Sequence, residues 1–216
     1  LFDDEVGDHL ILEAKRYFAE IMMPYTKMAV AGLDKALAVS PRVIAPSHGP
    51  VYRNPKRILS AYEQWVRGPL AKKAIVVFAS MWDSTRRMAK VITDAISAEG
   101  VEAVPYDLIS ADISHIARDL VDTSAVVLGS PTVLGGLHPL AAYALVLVRA
   151  LRPRAKLAAF FGSFGWGGGA ARQAKEMLEP AGFEILDVLD IKGAPDDKAL
   201  EATKELGRKV AQRIKG

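Results

Sequence analysis

The chain has 216 residues and a formal net charge of +3; half of its residues are hydrophobic and none is cysteine. The apolar half suffices for a folded core, and the dispersed basic residues disfavour nucleic-acid binding. The lack of cysteine excludes disulfides, iron–sulfur ligation and Cys-x-x-Cys metal sites within these residues. The longest apolar stretch, residues 140–148, is shorter than the ~18 residues of a membrane span. We therefore expect a cytoplasmic protein that does not enter a membrane.

The first forty residues favour helix. Apolar residues recur at helical spacing between residues 8 and 39, and Pro24 should end or kink the helix in its middle. The acidic run Asp3-Asp4-Glu5 is typical of a solvated helix start, and Ser40-Pro41 closes the segment.

A histidine follows in a constrained loop. Residues 43–45 predict a short strand that leads into Pro46-Ser-His-Gly-Pro50. An imidazole held between proline and glycine at such a corner suits a metal ligand. A single histidine also commonly makes an ordinary hydrogen bond, so both interpretations of His48 stay open.

The next helix ends at the clearest linker of the chain. Asn54-Pro55 is a typical helix start, and the helical pattern runs to about Arg67. Gly68-Pro69 then interrupts it. We predict two domains, residues 1–68 and residues 69–216.

The segment at residues 74–85 carries the strongest functional signal. An apolar, β-branched run predicts a buried parallel strand, which ends in Ser80-Met-Trp-Asp-Ser-Thr85 before a helix. Free N–H groups and the helix dipole at such a point bind phosphate. The loop has neither the Gly-x-x-x-x-Gly-Lys nor the Gly-x-Gly-x-x-Gly pattern, so it suits a single terminal phosphate, as in a flavin mononucleotide. An ordinary strand–loop–helix connection with Ser and Thr as caps is the alternative.

Four further strands alternate with four further helices. The strands are predicted at residues 101–108, 125–129, 156–162 and 183–191, and the helices near residues 112–121, 138–151, 170–181 and 196–214. This alternation predicts an α/β fold with a doubly wound, five-stranded parallel sheet.

Two later strands also end in loops of unusual composition, Gly129-Ser-Pro-Thr-Val-Leu-Gly-Gly136 and Gly162-Ser-Phe-Gly-Trp-Gly-Gly-Gly169. A glycine-rich backbone can approach a flat ring closely, and Trp166 could flank an aromatic ring. Ligands of doubly wound sheets lie at the carboxyl ends of the strands. Although each loop could be simple turn chemistry, the three together favour a ligand with a phosphate and a planar heterocycle.

These three loops make residues 70–216 resemble a flavodoxin-like domain, most closely that of flavodiiron proteins (A-type flavoproteins). The resemblance implies FMN, with its phosphate on the first loop and its isoalloxazine between the other two. Asp83 would need to point away, cap the helix or be compensated by Arg86 and Arg87. The implied FMN-binding residues are Ser80, Met81, Trp82, Asp83, Ser84, Thr85, Pro131, Thr132, Val133, Leu134, Gly135, Ser163, Phe164, Gly165, Trp166, Gly167 and Gly168.

The segment around His48 resembles the end of the metallo-β-lactamase-like αββα domain that precedes the flavodoxin-like domain in the same family. The resemblance implies that His48 is the last ligand of a di-iron centre. The family's other ligands, which include a His-x-Glu-x-Asp-His motif, have no counterpart here. We therefore expect the chain to be the C-terminal piece of a longer polypeptide.

The resemblance implies an oxidoreductase in which electrons pass through FMN to a di-iron centre that reduces dioxygen to water or nitric oxide to nitrous oxide. The alternative is a stand-alone electron-transfer module without a catalytic metal. The implied partners are an acidic redox donor, such as rubredoxin or a reduced deazaflavin or flavin reductase, and a second copy of the chain. That copy would form a head-to-tail homodimer or a homotetramer built from such dimers.

Overall fold

The structure, a computed structural model, describes residues 1–7 and 9–216. The chain divides into two compact units, Leu1–Pro69 and Leu70–Gly216. The boundary predicted between residues 68 and 69 lies one residue before this division.

The first unit is mainly helical. Its elements are α1 (Leu10–Tyr17), a π-helical turn (Phe18–Met22), a 3₁₀ turn (Met23–Tyr25), α2 (Thr26–Val39) and α3 (Pro55–Arg67). Pro24 lies in the 3₁₀ turn, where the predicted helix breaks because proline cannot donate a backbone hydrogen bond. Asp8, the predicted first residue of that helix, lies outside the described residues.

Two local predictions for this unit were wrong. The run Asp3-Asp4-Glu5 forms a turn instead of a solvated helix start. Asp3 is only 3% exposed, and its Oδ1 accepts a hydrogen bond from the Arg53 N–H at 2.8 Å, fifty residues later. Residues 43–45 form no strand, because Ile44 makes only an isolated antiparallel bridge with Tyr52.

The interior of the first unit is aromatic. The rings of Phe18, Tyr62 and Trp65 contact one another with centroid distances of 5.2–5.5 Å, a separation typical of favourable aromatic pairs. Tyr62 and Trp65 lie on α3, so this cluster joins α3 to the π-helical turn that contains Phe18.

The second unit alternates strands and helices. Its strands are β1 (Lys73–Phe78), β2 (Glu102–Asp107), β3 (Ala125–Val133), β4 (Gly136–Leu137), β5 (Leu157–Phe164) and β6 (Glu184–Lys192). Its helices are α4 (Ser84–Ala98), α5 (Ile113–Leu120), α6 (Pro139–Leu151), α7 (Ala170–Leu178) and α8 (Asp197–Lys215), with a 3₁₀ turn at Glu179–Ala181.

Five strands form a parallel sheet in the order β2-β1-β3-β5-β6, and the short β4 pairs antiparallel with β3. This confirms the predicted flavodoxin-like, doubly wound α/β fold. β1 is buried along its whole length, and β3 and β5 are buried along most of theirs, whereas the edge strands β2 and β6 are partly exposed. The pattern explains why the central strands read as continuous apolar runs.

One face of the sheet holds α4 and α8. Val76, Phe161, Ile92 and Val210 belong to one buried apolar cluster. Gly207 of α8 lets this helix approach α4, because an added Cβ would lie 2.8 Å from the Cβ of Ala95. This packing fixes the N-terminus of α4 beside the carboxyl end of β1.

The amino end of β1 carries a buried ionic network. The ammonium of Lys73 pairs with Asp122 and lies 3.7 Å from Asp119, which accepts a hydrogen bond from the Tyr106 hydroxyl. Burial alone raises the pKa of the Asp119 carboxyl, but the Tyr106 hydrogen bond and the nearby cations outweigh it and lower that pKa below its usual value. The network is satisfied internally and lies at the opposite end of β1 from the loop at residues 80–85.

None of the helices in the described part of the chain combines the length and apolarity that crossing a membrane requires.

Candidate functional site

Three loops meet at the carboxyl ends of β1, β3 and β5, which are neighbours in the sheet. We call them the first loop (residues 80–85), the second loop (residues 129–136) and the third loop (residues 162–169). For this strand order, of which flavodoxin is itself the reference example, ligands bind where the connections leave β1 and β3 in opposite directions. The N–H of Ala79 donates to the carbonyl of Gly129 at 3.1 Å, which ties the start of the first loop to the second.

The first loop presents unused hydrogen-bond donors. Within the described residues, the backbone N–H groups of residues 81–85 have no acceptor, and the hydroxyls of Ser84 and Thr85 make no hydrogen bond. The Ser80 hydroxyl accepts the N–H of Arg86 at 3.3 Å, which shapes the loop around the start of α4. These donors and the positive end of a 15-residue helix point to an anion.

Asp83 does not compete with that anion as a helix cap. It occupies the N-cap position of α4 with φ +62°, and its side chain makes no capping hydrogen bond. Its carboxylate forms an ion pair with Arg86, which also binds Asp107 of β2 at 2.9 Å. Hydrogen bonding to Asp107, together with the charges of both carboxylates, raises the pKa of the Arg86 guanidinium. Arg86 thus provides the compensation expected of it.

The second loop is largely a hairpin. β3 continues through Val133, four residues beyond its predicted end, and turns at Leu134-Gly135 into β4. Both turn residues have positive φ, +50° and +77°, as a type I′ turn requires. A leucine in this conformation is strained, and its side chain is fully exposed.

The third loop is open and glycine-rich. β5 runs through Phe164, two residues past its predicted end, and residues 165–168 are exposed. The Trp166 side chain is fully exposed, and an added Cβ at Gly165 or Gly167 would meet no atom within 4 Å. Ser163 is buried at the base of the loop.

The second and third loops are joined by one main-chain contact and two hydrogen bonds to side chains. A Cβ on Gly169 would lie 1.9 Å from the carbonyl oxygen of Gly135, so only glycine permits this approach. The N–H of Ala170 donates to the Thr132 hydroxyl at 3.3 Å. The side-chain oxygen of Gln173 accepts the N–H of Leu137 at 2.7 Å. Gly169 and Gln173 were not among the predicted site residues, since their contacts join segments over thirty positions apart.

The residues present fit a flavin mononucleotide. The unused donors of the first loop match a terminal phosphate, and the open glycines leave space for a flat ring. Large exposed apolar side chains border the three loops at Met81, Trp82, Leu134 and Trp166. An apolar rim around a polar cradle is typical of a site for a ligand that is aromatic at one end and anionic at the other.

His48 belongs to the first unit and lies apart in sequence from these loops. It is exposed and lines a cavity of about 620 Å³, together with Tyr17, whose ring centroid lies 5.6 Å from that of the imidazole. Within the described residues, no three His, Asp or Glu side chains lie close enough together to hold a metal ion. The described residues therefore do not form a di-iron centre by themselves.

Fold and loops together define a flavin-nucleotide domain of the doubly wound class. The chain belongs to the flavodoxin family, since residues 76–207 match the model described as Flavodoxin. Membership implies FMN as the cofactor.

The similarity extends through the first unit as well. The chain is 36% identical to a nitric oxide reductase from Moorella thermoacetica and 33% identical to a coenzyme F420H(2) oxidase from Methanothermobacter marburgensis, in each case over 99% of this chain and 55% of the relative. It superposes with a TM-score of 0.93 on the rubredoxin oxygen:oxidoreductase of Desulfovibrio gigas, at 28% identity, over 99% of this chain and 55% of that one.

A flavodiiron protein from Giardia intestinalis gives a TM-score of 0.88 at 28% identity, over 93% of this chain and 51% of that one. The chain thus spans about half the length of the relatives it matches. These similarities confirm the predicted resemblance to the C-terminal portion of flavodiiron proteins.

We predict that Gly169→Ala lowers the free energy of unfolding by about 1–3 kcal/mol, because the new methyl group would displace the second loop. FMN affinity should fall with it, since both loops border the proposed ring site. Urea unfolding and a flavin titration measure the two effects. Gly167→Ala is the matched control for stability and should change the free energy of unfolding little, because its added Cβ meets no protein atom within 4 Å. Equal free energies of unfolding in the two variants would show that the second and third loops are not held together by this contact.

Proposed function

We propose that this chain is the FMN-carrying part of a flavodiiron oxidoreductase that reduces dioxygen to water, nitric oxide to nitrous oxide, or both. The observation that carries the proposal is the set of unused donors at residues 81–85, at the start of α4, in a chain similar to flavodiiron proteins through both of its units. FMN, when bound, supplies the electron-carrying chemistry, while the protein binds and orients it.

The first loop would hold the phosphate. Its N–H groups, with the hydroxyls of Ser84 and Thr85, would donate to the phosphate oxygens, and the dipole of α4 would favour the negative charge. Arg86 is held by Asp83 and Asp107, so we assign the phosphate to neutral donors and not to this guanidinium.

The other loops would hold the ring. Residues 131–135 would line one side of the isoalloxazine, and residues 163–168 the other. Leu134 and Trp166 would cover the ring and keep water from it. Main-chain groups of the second loop would meet polar atoms at the ring's edge.

A stand-alone electron-transfer module is the second candidate. The observation that favours it is the absence of a metal-binding group of side chains within the described residues. A His-x-Glu-x-Asp-His segment encoded upstream, or in a companion chain, would decide for the oxidoreductase.

We propose an acidic donor and a second copy of the chain as partners, and a cytoplasmic location. The net charge of +3 would favour an acidic donor such as rubredoxin or a reduced deazaflavin or flavin reductase. Relatives are named for rubredoxin and for coenzyme F420H(2), which supports donors of both kinds. The fully exposed Trp166 would be covered in a head-to-tail homodimer, or a tetramer of such dimers, with the third loop at the contact. A protein that sediments as a monomer at micromolar concentration would exclude this assembly.

The phosphate assignment is tested with two forms of the flavin. Replacing Ser84 and Thr85 together by Ala should weaken FMN at least tenfold, because each lost charge-assisted hydrogen bond costs roughly 1.5–3 kcal/mol. Riboflavin, which lacks the phosphate, should bind the variant and the wild type equally. Fluorescence titration of the apoprotein measures both.

The matched control is Ser97→Ala, at the exposed far end of the same helix. It should leave both affinities unchanged. Undiminished FMN affinity in the double variant would mean that the phosphate lies elsewhere.

We propose that His48 ligates iron when the protein includes ligands from outside these residues. In such a polypeptide, His48→Ala should lower the iron content and gas-reductase activity while FMN stays bound, because the flavin loops lie in the other unit. His9→Ala, an exposed histidine of the same unit, is the control and should retain iron. Metal analysis measures the iron content, and flavin absorbance measures bound FMN. A full iron content in His48→Ala would show that His48 is only a structural residue.

A further inference from the structure

Asp190 is a carboxylate without a partner. It lies on β6, opposite Gly162 in the strand register. Its Oδ1 is buried and has no hydrogen-bond partner, and the side chain forms no ion pair within the described residues. Burial raises the pKa of this carboxyl. A buried, unpaired acceptor is unfavourable, so its presence calls for a physical reason.

Unused donors lie beside it. A Cβ on Gly168 would be 3.3 Å from Oδ2 of Asp190, so the carboxylate lies against the third loop. The backbone N–H groups of residues 165–169 have no acceptor within the described part of the chain. The N–H of Gly193 donates to the carbonyl of Phe164 at 2.8 Å, which fixes the end of β6 to the base of this loop.

A carboxylate with one buried, unpaired oxygen and a loop with unpaired N–H groups therefore lie next to each other. Residues 165–168 are exposed, and an added Cβ at Gly165 or Gly167 would meet no atom within 4 Å, so this part of the loop can move without steric conflict. The acceptor is on a strand and cannot follow them. A small shift of the loop toward β6 would satisfy both groups at once.

We infer that Asp190 is a positioning residue: its carboxylate accepts backbone N–H groups of the third loop at residues 167 and 168 when the flavin ring is seated, and so fixes the loop against the ring. The inference rests on the proposed FMN site. Bonds that form when the ring is seated contribute their free energy to flavin affinity.

The role predicts opposite effects on binding and on stability. Asp190→Ala should weaken FMN by about 10- to 100-fold, as expected for loss of hydrogen bonds to a charged acceptor. Riboflavin affinity should fall by the same factor, because the third loop contacts the ring and not the phosphate. The melting temperature of the apoprotein should stay the same or rise, because the variant removes a buried carboxylate oxygen that has no partner. Asp190→Asn, which keeps one acceptor oxygen, should lose less affinity than Asp190→Ala.

Asp187 provides the matched control. It lies on the same strand, is exposed and pairs with Lys209 at 2.9 Å. Asp187→Ala should leave the affinity for FMN and for riboflavin unchanged.

The outcomes separate the two proposals. A wild-type protein that binds no FMN would overturn the proposed function. If the wild type binds FMN and Asp190→Ala binds it with the same affinity, the positioning role alone would be overturned. If Asp190→Ala lowers the melting temperature of the apoprotein as well as the affinity for FMN, the positioning role would also be overturned. Asp190 would then be a structural residue of the free protein.

Discussion

The approach of Gly169 to the carbonyl oxygen of Gly135 is the contact on which the rest of the site depends. It brings the start of α7 against the tip of the β3–β4 hairpin, with no room for a side chain between them. The hairpin can then hold Leu134 in a strained turn, because Gln173 and Thr132 bind its two strands to α7. The geometry of both loops is thereby set by one backbone contact and by two hydrogen bonds to the side chains of Gln173 and Thr132.

The sequence predicted the sheet well because its central strands are buried on both faces. Such strands read as continuous apolar, β-branched runs, and the five runs emerged in the right order. The helices between them carry an apolar stripe of helical period. The local hydrophobic pattern was sufficient to predict the strands and helices wherever burial determines the structure.

The predictions failed for segments whose structure depends on contacts with residues far away in the sequence. Asp3 was expected to be solvated, but Arg53 satisfies it from fifty positions away. The hairpin in the second loop was not predicted, because Pro131 and two glycines interrupt the strand pattern and the turn lacks the Asn-Gly or Asp-Gly signal of a hairpin. The sequence did not indicate a role for Asp190, because the pattern of an apolar strand does not show whether a carboxylate has a hydrogen-bond partner.

The main-chain contact between the second and third loops does not depend on the side chains exposed at their tips. Since Gly135 and Gly169 meet through backbone, the side chains at Val133, Leu134 and Trp166 carry little of the fold. A change at Leu134 or Trp166, both fully exposed, would leave the strands beneath them undisturbed and would alter only the surface around the site. The same sheet can therefore carry rims of different shape, since the contact between Gly135 and Gly169, and not the rim side chains, brings the two loops together.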